Sequence, residues 1–85
     1  MDGIDWESAA ELFPSRSRKA RYQLSYRRFD RAAEAVRFAV EELPRELFAG
    51  AYLEVDEVRY DAGGIRRLYD SDTFPLLRRA VAKAG

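Results

Sequence analysis

The chain has 85 residues, enough for one domain near the lower end of what folds without disulfides or metal. Apolar residues at 47% and aromatics at 13% suffice for a core and exclude global disorder. No Cys and no His are present, which removes disulfides, thiolate ligands, and Ser–His or Cys–His catalysis, while 15 basic and 15 acidic residues cancel to zero net charge.

Residues 1–19 divide into a short helix and a basic link. Asp5 suits a helix N-cap, with Trp6, Ala9, Ala10 and Phe13 on one apolar face, and Pro14 ends the segment. About two turns of helix are unstable alone, so Trp6 and Phe13 are expected to dock. The link Ser15–Lys19 is polar and has no periodicity.

Ala20–Phe29 reads as a strand. Tyr22, Leu24 and Tyr26 alternate with Arg21, Gln23, Ser25 and Arg27, and the tyrosines are expected to face the core.

Asp30–Leu43 is the clearest helix, with Asp30 as N-cap and Pro44 as stop. Phe29, Ala32, Ala33, Val36, Ala39, Val40 and Leu43 fall on one stripe at three- and four-residue spacing. Phe38 breaks the pattern and points into the charged face. It is covered by another segment of the chain, an anchor for a subunit or partner, or simply an exposed phenylalanine.

Arg45–Gly50 is a connector with Leu47 and Phe48 tucked under the helix end. Ala51–Tyr60 reads as a second strand whose pairs Leu53/Val55 and Val58/Tyr60 are out of phase. A bulge at Asp56–Glu57 would return both pairs to the core. Asp61–Ala62–Gly63–Gly64 reads as a hairpin turn, Ile65–Tyr69 as a third strand, and the stretch from Pro75 onward as a last helix.

The expectation is a single α+β domain over 1–85, in the order α-β-α-β-β-α. A three-stranded, mainly antiparallel sheet packs on the central helix. Residues 1–19 form the N-terminal helix and link, 20–70 the β-α-β-β core, and 71–85 the C-terminal helix.

Nucleotide-binding glycine motifs and calcium-loop spacing are missing. Glu54 and Asp56 could meet a hard cation, but no third ligand is placed by the spacing, so no cofactor or metal is expected. No apolar run has membrane-span length, and the N-terminus lacks a signal-peptide pattern. Thirteen of the 15 basic residues are Arg, a bias typical of GC-rich bacterial genomes. These features suggest a bacterial, cytoplasmic, non-catalytic protein.

Two functions follow. The first is a self-associating protein-interaction or regulatory module, using Phe38, Trp6 and Phe13 as interface residues. The second is nucleic-acid binding through the basic stretch 16–31: Arg16, Arg18, Lys19, Arg21, Arg27, Arg28 and Arg31, against Asp30 alone. From Glu41 to Asp61 seven acids face only Arg45 and Arg59, so the zero total hides a basic and an acidic segment.

Overall fold

The computed structural model describes residues 4–15 and 26–77. Their architecture is α+β. Four strands, β1 (Ala10–Phe13), β2 (Arg27–Phe29), β3 (Tyr52–Val55) and β4 (Val58–Asp61), form an antiparallel sheet in the order β2-β1-β3-β4. Helices α1 (Ala32–Glu41) and α3 (Ala62–Asp70) pack on one face, and the single turn α2 (Arg45–Phe48) closes the end of α1. The sheet thus has one strand more than the sequence suggested, and its centre includes the segment expected to be the N-terminal helix.

That segment is a strand because its decisive side chain is Leu12, which the helical pattern ignored. Ala10 and Leu12 alternate with Glu11 and Phe13, and pair in register with Val55 and Leu53 of β3. Leu12 and Leu53 are fully buried. Ahead of β1, residues 5–8 form a turn in which the Asp5 carboxylate accepts from the N–H of Glu7 and the Asp5 carbonyl from that of Ser8.

Helix α1 begins one residue later than expected. Arg31 occupies the N-cap position and gives no side-chain cap. Instead, Ala32 N–H donates to the carbonyl of Ser8 (2.7 Å) and Ala33 N–H to that of Trp6 (3.1 Å). The turn ahead of β1 therefore satisfies the free donors of the helix. Ala32, Ala33, Ala35, Val36 and Ala39 are buried, and their small size lets the helix lie close on Leu12 and Leu53.

Asp56 and Glu57 both take positive φ, at 50° and 68°, and join β3 to β4 as a two-residue hairpin turn. The phase slip in the sequence is this reversal and not a bulge. Val55 pairs with Val58 and Leu53 with Tyr60, so both apolar pairs do share a face.

The glycine-containing segment that followed is also different from expectation. Asp61 caps α3: its Oδ1 accepts from Gly64 N–H at 2.9 Å. Ile65, Leu68 and Tyr69 then recur at helical spacing, with Ile65 and Tyr69 buried. Gly64 sits against Tyr60, where an added Cβ would lie 3.3 Å from the Tyr60 Cβ. That close approach explains a glycine inside a helical turn. Tyr69 O–H donates to Glu41 Oε2 at 2.6 Å and ties α3 to α1.

Of the expected C-terminal helix, Pro75–Leu77 is described and is not helical, and residues 78–85 lie outside the described residues. The expected first strand is described only from Tyr26, with Arg27–Phe29 paired to β1.

Exchanging Glu57 for glycine separates a turn from a bulged strand. Glycine weakens a strand but relieves positive φ. Glu57→Gly is expected to raise unfolding stability by about 0.5 kcal/mol in urea titrations; a loss of similar size would mean the turn geometry is wrong.

Candidate interaction surface

The register sorts side chains between the two faces of the sheet, because directly opposed residues point the same way. The inner face carries Ala10, Leu12, Leu53, Val55, Val58, Tyr60, Phe29 and Arg27. On the outer face Arg28, Glu11, Glu54 and Arg59 form one row across all four strands, and Phe13, Tyr52 and Asp61 form the next. No described helix packs on this outer face.

The second row is an aromatic stack. Phe13 and Tyr52 lie 4.7 Å apart at 16°, and Tyr26 meets Phe13 at 5.3 Å and 40°. The Arg59 guanidinium covers the Tyr52 ring at 4.2 Å and reaches Glu54 at 4.0 Å. Tyr26 O–H donates to Glu11 Oε2 at 3.2 Å and stays 50% exposed. Its phenol titrates above the ordinary tyrosine value. Loss of hydration is the main cause, the Glu11 carboxylate adds to it, and Arg28 opposes it.

Beside the first row lies a shallow hollow of about 290 Å³, lined by Glu11, Arg28, Glu54, Asp56 and Glu57 with Ala9 and Ala10. Three of the four carboxylates there are engaged individually: Asp56 Oδ2 accepts from Ser8 Oγ at 3.2 Å, Glu54 leans towards Arg59, and Glu11 accepts from Tyr26 O–H. Among the described residues, no three side chains of metal-binding type converge.

The other residues singled out from the sequence are placed as follows. Trp6 packs edge-on against Phe74 at 5.4 Å and is half-buried. Phe38 is half-buried under β2: its ring meets Phe29 at 5.5 Å, and Arg27 lies 4.7 Å from its centroid. It forms the floor of a groove of about 600 Å³ with Phe29 and Leu77, rimmed by Glu34, Arg37, Glu41 and Glu42. Phe13 stands on the outer sheet face.

The basic residues also separate. Arg27 is spent on the Phe29 and Phe38 rings. Arg31 bridges Glu34 at 2.9 Å and Glu7 at 3.6 Å, and the Glu34 hydrogen bond raises its already high pKa further. Arg28 is exposed on the outer face. Arg16, Arg18, Lys19 and Arg21 lie outside the described residues.

Sequence reasoning assigned Tyr26 to the core and gave Tyr52 no role. The usable signal was parity: Tyr52 is out of step with Leu53 and Val55, as Phe13 is with Leu12.

No known protein family, curated protein or solved structure matches the chain. No helix among the described residues is long and apolar enough to cross a membrane.

The Tyr26–Glu11 contact is open to a direct check. In an ultraviolet pH titration, with Tyr26→Phe as the reference for the other tyrosines, the Tyr26 phenol should ionise above the ordinary value. Glu11→Gln should move it down. An unchanged titration would remove the contact.

Proposed function

We propose that the protein is a small non-catalytic protein-interaction module that associates with a second copy of itself through the outer face of its sheet. The observation that carries this is the row Tyr26–Phe13–Tyr52, with Tyr26 exposed and the other two rings half-buried, on a face that no described helix covers, with Arg28 and Arg59 beside it. Tyr and Arg dominate binding hot spots, since each offers a large contact area and a polar tip. Here Tyr52, Arg28 and Arg59 stand on strands and Tyr26 directly precedes one, so little conformational freedom is lost on docking. The balanced charges of the face suit a partner of the same composition. Phe13, one of the three interface residues expected from the sequence, belongs to this patch. Trp6 and Phe38 support it only indirectly, by fixing the layers beneath. A bacterial cytoplasmic setting belongs to the same proposal, on the composition of the chain.

Light scattering over a concentration series tests it. The expected result is a dimer, with Tyr26→Ala raising its Kd on the order of tenfold. A strict monomer at concentrations of about 1 mM overturns the proposal.

A second reading is single-stranded nucleic-acid binding, and one feature favours it. The link of residues 16–25, attached at the aromatic end of the sheet between Ser15 and Tyr26, has four basic residues and no acid. A base would extend the ring stack from the exposed Tyr26, with phosphates on the link. Labelled oligonucleotides should then bind more weakly as salt rises, with a log–log slope of about −0.7 per phosphate contacted. Absence of binding at low salt removes this reading.

A further inference from the structure

The charges on the outer face are arranged so that only one of the two simple face-to-face arrangements brings opposite groups together. This inference rests on the self-association just proposed and specifies how the two copies meet. Paired antiparallel sheets stack about 10 Å apart with strand directions nearly aligned. Two-fold axes between such sheets run either along the strands or across them.

An axis along the strands, midway between β1 and β3, exchanges β1 with β3 and β2 with β4. From the strand register it sets Arg28 over Arg59 of the other copy, and Glu11 over its Glu54. Like charges then meet at every position of the charged row.

An axis across the strands, midway between the two rows, lays each row over the other. Arg59 then meets Asp61 of the second copy; Asp61 Oδ1 accepts from Gly64 N–H at the start of α3, so Oδ2 is the oxygen that makes the ion pair, twice by symmetry. Glu54 meets Tyr52, whose hydroxyl can donate to it, and Arg28 meets the exposed Tyr26 ring. Glu11 meets Phe13, and its charge is already engaged by Tyr26 O–H.

We infer that two copies of this chain dock sheet to sheet about a two-fold axis running across the strands, with Arg59 of each on Asp61 of the other.

The chain contains no Cys, so single cysteines report geometry without background. Tyr26→Cys and Arg28→Cys chains, mixed at high concentration with a short bis-maleimide, should yield a cross-linked pair. Arg28→Cys mixed with Arg59→Cys should stay uncrosslinked, because that pair meets only about the axis along the strands. A dimer in light scattering whose cross-links follow the 28/59 pair overturns the orientation and leaves self-association standing. A dimer with neither cross-link places the interface elsewhere and overturns it as well. A monomer that binds oligonucleotides removes both the orientation and the reading beneath it. Charge exchange gives an independent measure: Arg59→Asp should weaken the dimer on the order of tenfold, and an unchanged Kd would refute the Arg59–Asp61 contact.

Discussion

Two backbone hydrogen bonds hold the layers together: Ala32 N–H to the Ser8 carbonyl and Ala33 N–H to the Trp6 carbonyl. A helix start leaves donors that must be satisfied when water is excluded. Here the acceptors come from the turn that feeds the central strand, so placing β1 also fixes the start of α1. Arg31 closes the same junction from outside, reaching Glu7 on the turn and Glu34 on the helix. These two ion pairs are solvent-exposed and add little stability of their own. Their effect is to orient a junction that the backbone already defines. From it follow the close packing of the alanine-rich side of α1 on Leu12 and Leu53, and the confinement of both longer helices to one side of the sheet.

The helix α1 was legible because its signals agree: alanine propensity, a three-to-four spacing and a proline stop. The sheet was less legible, for specific reasons. In Trp6–Phe13, apolar residues fall at both helical and alternating spacing, and only pairing with Leu53 and Val55 decides between them. The hairpin turn at Asp56–Glu57 contains neither glycine nor asparagine, so its positive φ angles have no local sequence mark. The reverse error arose at Asp61–Gly64, where two glycines imitate a hairpin turn. Asp61 instead caps a helix whose apolar spacing at Ile65, Leu68 and Tyr69 was present in the sequence. The strand count and element order went wrong together, since each of these segments changed its type.

The same parity question governed the surface. A strand displaced by one residue exchanges all its inward and outward side chains. Tyr26 was expected inward because it alternates with arginines, yet Arg27 is the residue that turns to the helix side, flattened over Phe29 and Phe38. An arginine can do this because its guanidinium stacks on rings while its edge stays wet. Phe38 is therefore partly covered from within the chain, by Phe29 and Arg27, and stays half-buried like Phe13 and Tyr52 on the other face. One misassigned arginine exchanged the inward and outward side chains expected for β2.

A face with balanced charge recognises by position rather than by field. With zero net charge, the molecule has little long-range steering, so association through such a face is governed by contacts formed after encounter. The upright stack Tyr26–Phe13–Tyr52–Arg59 suits that role. Each ring is held by its neighbours, and the rotamer freedom usually lost on docking is already restricted within the monomer. Arg59 and Glu54 each constrain the other, so neither is free to adapt to an arbitrary partner. A surface made rigid in this way favours a partner with complementary spacing across strands about 4.8 Å apart. In the proposed self-association a second antiparallel sheet would supply that spacing, and a copy of the same sheet would supply the charges.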